Sequence, residues 1–284
     1  MSKFILLVET GADVPADIAR QYDIQIVPMH VTFGDRTADD GAFPVQDLFD
    51  YYMKTGTLPK TSGCTPDDFE RAFAAIQKKY PDAHILHLAY SAATTCSYQS
   101  ALIAAEGREG ITSFDTKHVS AGQALVTLSL ARHLAAHPDC TLEEAVAKAE
   151  ELRRRCKMGF FPGDLAYLKA GGRVTNAAYL GAKLLSLNPL IEVIDGNLKA
   201  TKKYRGKMDR VAPKLLQEFV RDQQLNRDII AFVYSQGLSK SIQSDVTQQA
   251  QELGFKEILW IQTGCVVSTH SGPGAFGVIG FAEV

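Results

Sequence analysis

Apolar and polar positions along the chain follow two rhythms that change near the middle. In the first half, short apolar runs alternate with stretches of helical spacing, the pattern of βα units around a mostly parallel sheet. FILLVET (4–10) predicts a buried strand, and DVPADIARQY a short helix with Asp13 as its cap and Pro15 in its first turn. IQIVPMHVTF (24–33) alternates as one strand, and TPDDFERAFAAIQKKY (65–80) opens on Thr-Pro with acids in its first turn, as a helix does. AHILHLAYS (83–91) predicts a third strand, TTCSYQSALIAAEG a helix, ITSFDT a fourth strand, and a long helix falls within 120–136.

TLEEAVAKAEELRRRC (141–156) carries Thr141 and Glu144 at capping-box spacing and basic residues at its far end. One domain gives way to the next here, so the expected domains are 1–157 and 158–284. Beyond it, PLIEVIDGNLKATKKY (189–204) holds two strand-like runs joined at Asp195-Gly196, a hairpin signal. Helices near 208–221 and 239–253 flank the strand DIIAFVYSQ, and EILWIQTG (257–264) is the last clear strand. The expected fold is α/β in two domains. The first has a mostly parallel sheet with flanking helices, and the second contains antiparallel strands.

Length and composition narrow the function. With 284 residues, 46% hydrophobic, 22% charged and a net charge of -2, the chain has no general attraction for nucleic acid or for a membrane surface. No apolar run approaches the roughly 20 residues that span a bilayer, and MSKFILLVET lacks a signal-peptide cleavage site. A cytoplasmic protein without stable membrane insertion is expected. Cys64, Cys96, Cys140, Cys156 and Cys265 form no C-x-x-C pair, so reduced thiols are expected and a metal site is not.

Four loops concentrate hydroxyls, glycine and proline after strand-like runs, where open α/β sheets bind ligands. In LPKTSGCTP (58–66), Thr61, Ser62 and Gly63 precede a helix start, which serves either as a plain cap or as an anion site. YSAATTCSYQSA (90–101) places Ser91, Thr94, Thr95 and Ser97 between strand and helix, more hydroxyls than capping uses. LKAGGRVT (168–175) joins Gly171 and Gly172, which suggest positive φ or close backbone approach, to Arg173, a brace for the protein or a ligand contact. In STHSGPGAFG (268–277), Gly272, Pro273, Gly274 and Gly277 predict a tight turn that fixes the backbone after His270. Alone, that histidine fits a structural donor as well as a ring presented to a ligand. The rival reading is an enzyme, either a hydrolase with Ser91, Thr95 or Ser97 as nucleophile and His270 as base, although no G-x-S-x-G elbow exists, or a small-molecule kinase-like enzyme of similar fold. Dinucleotides and triphosphates are disfavoured because neither glycine-rich phosphate motif occurs.

In order, VETGADVP, TSGCTP, YSAATTCSYQSA, LKAGGRVT and STHSGPGAFG resemble the motifs of the DegV family of bacterial lipid-binding proteins, across essentially the whole chain. The resemblance implies a long-chain fatty acid held between two α/β domains, with no cofactor and no catalysis by this chain. A separate ATP-dependent kinase subunit would phosphorylate the presented carboxylate for phospholipid synthesis. It implies a carboxylate site at Thr61, Ser62, Ser91, Thr95, Cys96 and His270. Arg173, Gly272 and Gly274 would support the site, and the basic run of Lys202, Lys203 and Arg205 would face the kinase. The apolar stretch AAYLGAKLLSLNPLIEV (177–193) offers either tail lining or plain core. The chain departs from the family pattern at Glu9-Thr10, Ala92 and Thr95-Cys96-Ser97. If the family's glycine is there for positive φ or close approach, Cys96 in its place would alter the carboxylate cradle.

Overall fold

The computed structural model describes residues 4–173 and 187–283. β1 (Phe4–Glu9) is buried at all six positions, so it needs cover on both faces. A 3₁₀ turn over Thr10–Ala12 and α1 (Ala16–Gln21) return the chain to β2 (Gln25–Val27), which lies parallel to β1. Asp13 does not cap α1. It sits in left-handed backbone at φ 55°, and Pro15 holds the N-cap position without a side-chain bond.

The single strand expected over 24–33 is two strands in different sheets. Pro28 lies between β2 and β3 (His30–Phe33) and has no N–H to continue a ladder. β3 pairs antiparallel with β4 (Arg36–Asp39) and with β5 (Lys60–Ser62) in a three-stranded sheet. Between them runs α2 (Val45–Thr55), an amphipathic helix that the sequence reading passed over. α3 (Pro66–Lys79) begins on a capping box: Asp68 N–H donates to the Thr65 hydroxyl at 3.2 Å, and Thr65 N–H to the Asp68 carboxylate at 2.7 Å.

β6 (His84–Ala89), α4 (Ser97–Ala105) and β7 (Ile111–Asp115) complete a four-stranded parallel sheet in the order β2-β1-β6-β7. α5 (Ser120–Ala136) then carries apolar residues on nearly every face, and a helix hydrophobic all round must be buried all round. α6 (Leu142–Arg155) covers it, starting from the Thr141–Glu144 capping box, and passes without a loop into β8 (Cys156–Phe161).

α7 (Leu165–Gly171) follows. β9 (Leu187–Ile194) and β10 (Asn197–Arg205) form the expected hairpin, with Asp195 at φ 49° and Gly196 at φ 78° closing a primed turn. α8 (Met208–Asp222), β11 (Leu225–Tyr234), α9 (Lys240–Glu252) and β12 (Glu257–Gln262) match the predicted rhythm. α10 (Cys265–Ser271) and β13 (Phe276–Ala282) end the described chain. The six strands from β8 onward form one mixed sheet in the order β10-β9-β8-β13-β11-β12, parallel only between β11 and β12. α5 touches β1 and β6 of the parallel sheet on one side and β8, β11 and β13 of the mixed sheet on the other. One apolar core therefore joins Leu6 and Leu88 to Ala231 and Ile279 across this helix.

Candidate functional site

A cavity of about 830 Å³, open mouth included, lies where the loops after β5 and β6 meet α10 and the inner face of the mixed sheet. Its inner wall is apolar: Met158, Phe160, Leu198 and Val233 come from the mixed sheet, Met29 from the link between β2 and β3, and Val119 from the start of α5. Its polar end gathers Thr61, Ser62, Thr94, Thr95 and His270, with Arg173 the one cation and no carboxylate in the lining among the described residues.

Thr61 and His270, separated by 209 residues, meet directly, with Thr61 Oγ1 2.8 Å from His270 Nε2. Burial first, and the Arg173 guanidinium second, push the His270 pKa down to about 4, so the ring is neutral at pH 7. Its Nδ1 is buried without a hydrogen-bond partner among the described residues and lies against Gly171, where a Cβ would run into it. An orphaned acceptor costs less than an orphaned N–H, so the favoured tautomer carries its proton on Nε2 and donates it to Thr61. The Thr61 O–H is then free to donate into the cavity.

The second hydroxyl is held as firmly. Ser97 Oγ accepts the Cys64 N–H at 3.1 Å and lies 3.2 Å from Thr95 Oγ1, and a Cβ on Gly63 would collide with both hydroxyls. Gly63 thus admits the Thr95–Ser97 pair to the TSG loop. Cys96 has φ -82° and ψ -2°, ordinary right-handed backbone that any residue adopts. Its side chain is exposed and does not line the cavity. No glycine is required there, and the anticipated change in the cradle does not arise from Cys96.

Ser91 also stays out of the cavity. It is fully buried and donates its hydroxyl to the Gly196 carbonyl at 2.7 Å, tying the loop after β6 to the β9–β10 turn. Thr94, one turn on, takes a place in the lining. The two glycines of LKAGGRVT divide the expected roles. Gly172 ends α7 at φ 61°, while Gly171 allows the close approach of His270. Arg173 donates to the Gly171 carbonyl at 2.6 Å and reaches the cavity.

Gly272 and Gly274, at φ 71° and 79°, make the tight turn after His270. Gly277 does not belong to that turn: it lies in β13, where a Cβ would sit 2.6 Å from the Phe160 Cβ. Lys202, paired with Asp222, and Arg205 stand on the edge strand β10 and do not line the cavity. Of the 177–193 stretch, 177–186 lies outside the described residues, and Leu190 and Ile191 are buried core.

Sequence reading missed the support beneath the site. Glu9 is fully buried, accepting the Tyr90 N–H at 2.9 Å and the Gln123 amide at 2.8 Å, with His87 Nε2 at 3.2 Å. Burial alone would raise its pKa, but His87 and these hydrogen bonds bring it below the usual carboxylate value. Glu9 thereby anchors the root of the Thr94–Thr95 loop. The signal was its position at the end of an apolar strand, where a charge persists only if it is satisfied.

Comparison with known proteins agrees with this architecture. The family model described as uncharacterised protein, DegV family, matches residues 3–283. A protein of Thermotoga maritima named fatty acid-binding protein is 25% identical over 97% of this chain and 96% of its own. A DegV domain-containing protein of Caldanaerobacter subterraneus is 25% identical over 98% of each chain. Among solved structures, a DegV family protein from Thermus thermophilus, described as fatty acid binding, superposes with a TM-score of 0.87 at 26% identity over 100% of both chains. A DegV lipid binding protein from Thermotoga maritima superposes with a TM-score of 0.84 at 25% identity over 99% of both. The chain belongs to the DegV family.

Proposed function

We propose that this protein binds a long-chain fatty acid, its carboxylate at Thr61 and Thr95 and its tail along the apolar wall, and presents the head to a separate ATP-dependent kinase. The observation that carries the reading is one cavity that joins an apolar wall to a polar end with oriented hydroxyls and, among the described residues, no acid. A fatty acid needs both parts. Its tail gains about 0.8 kcal/mol per buried CH₂, and its head costs several kcal/mol to bury unless it is hydrogen-bonded. In this reading His270 acts through Thr61, Arg173 supplies the counter-charge, and Ser62 at the mouth completes the head-group end. The fatty-acid-binding relatives support the same ligand.

The chain is a carrier rather than an enzyme in this reading. A serine-type base needs its second ring nitrogen oriented by a further group, and His270 Nδ1 has no partner among the described residues. The kinase transfers a phosphoryl group to the carboxylate, and the exposed basic edge of Lys202, Lys203 and Arg205 is the surface assigned to it. Dependence on ATP places the protein in the cytoplasm. We read the chain as two units, 1–157 and 158–284, that close on the ligand from either side. The direct test is denaturing extraction of protein expressed in bacteria, followed by mass spectrometry. About one fatty acid per chain is expected, and its absence from every preparation would refute the reading.

A further inference from the structure

His270 owes its position to α10, a helix of seven residues whose first turn supplies Val266 and Val267 to the cavity lining. Two carboxyl groups from the first forty residues hold that turn. Gly264 N–H donates to Asp13 Oδ1 at 2.6 Å, and Cys265 N–H donates to Asp40 Oδ1 at 2.8 Å. They converge on one face of one residue. A Cβ on Gly264 would stand 3.2 Å from Asp13 Oδ1 and 3.3 and 3.5 Å from the two oxygens of Asp40. Both side chains are buried, at 7% and 6% exposure. Neither is ion-paired to a described lysine, arginine or histidine.

Two ionised carboxylates so placed repel each other in a poorly solvated site, and one retained proton removes the repulsion. The Ser120 hydroxyl bonds the other oxygen of Asp13 and also lines the ligand cavity. We propose that Asp13 and Asp40 form a positioning pair that grips the opening amides of α10, sets where His270 meets Thr61, and loosens when both carboxyl groups are ionised.

The pKa pattern agrees with the geometry. Burial first, with the charge of Asp40 a lesser contribution, pushes Asp13 up to about 8, and burial likewise raises Asp40. The titratable groups facing the pair are Cys265 on α10 and Tyr90 on the loop after β6, and burial raises both, so they stay neutral. Glu9 and Arg173 are the charged groups that act on Tyr90 from the other side. Below about pH 8 the pair carries at most one negative charge. Above it, two charges push apart across Gly264 and displace the start of α10.

This inference rests on the fatty-acid reading, and the experiment separates the two. Delipidated full-length protein is titrated with hexadecanoate between pH 6.5 and 9.5, a range in which His270 stays neutral. Wild type is expected to hold one affinity to about pH 7.5 and to lose about tenfold by pH 9.5. Asp13→Asn, which mimics the protonated acid, and Asp40→Asn, which removes the second charge, should each abolish that loss. Asp40→Ala, which drops the Cys265 N–H, should bind about tenfold more weakly at every pH while melting cooperatively. Wild-type binding that is flat with pH, or an alkaline loss that persists in either Asn variant, would overturn the inference and leave the fatty-acid reading standing. No hexadecanoate bound by wild type at any pH would overturn both.

Discussion

At the scale of single residues, the polar end of the cavity depends on hydroxyls oriented by their neighbours. On the proposed function, Thr61→Val keeps the shape but removes a hydrogen bond to the bound carboxylate, worth about 1.5–3 kcal/mol. Fatty-acid affinity should fall about 10- to 100-fold in equilibrium titration, with the melting temperature little changed. Gly171→Ala tests the support of His270 from behind, since its Cβ would enter the space of Nδ1. Its binding loss should match that of His270→Ala, and an unaltered affinity would remove His270 from the head-group arrangement. These roles were only partly legible in the residues. Thr61, Thr95 and His270 stood out as hydroxyl and imidazole groups in loops. The bonds that separate Thr94 from Ser91 as cavity lining run to Gly196, which lies 105 residues away from Ser91.

At the scale of elements, local rules served well wherever the local signal was strong. The helices headed by Thr65 and Thr141 begin on their capping boxes, and the Asp195-Gly196 turn closes its hairpin. The rules failed where tertiary packing decides. α10 spans only seven residues, and its hydroxyl-rich sequence does not favour helix. β13 is rich in glycine, yet runs through the middle of a sheet because Phe160 and Val233 crowd the space above Gly277. The hairpin turn offers a test of coupling between elements. A Cβ on Gly196 would stand 2.6 Å from Ser91 Oγ, and its φ of 78° disfavours any side chain. Gly196→Ala should cost on the order of 1–2 kcal/mol in denaturant unfolding. Combined with Ser91→Ala, which removes the colliding hydroxyl, the loss should be smaller than the sum of the single losses.

At the scale of the whole molecule, the fold places neutral histidines in its interior, and stability should follow. Burial lowers both His118 and His270 to a pKa of about 4. A histidine whose folded pKa is depressed takes up its proton first in the unfolded chain. Its contribution is therefore intact above the unfolded value of about 6.5 and is lost as pH falls toward the folded value. Asp13 works in the opposite sense: its raised pKa favours the folded state at low pH, and that contribution fades as pH rises toward 8. Between pH 6.5 and pH 4 the wild type should lose melting temperature relative to His118→Gln, which keeps a donor for the Arg153 carbonyl and lacks the titrating ring. The sequence alone determined the α/β class, the order of most elements, and the loops that carry hydroxyls and glycines, because hydrophobic period, caps and turn residues act over a few positions. Only the tertiary structure decided which hydroxyls share the cavity, that Asp13 and Asp40 hold α10, and that α5 joins the two sheets in one core. Those outcomes depend on burial and contacts between residues far apart in the chain, which no local pattern encodes.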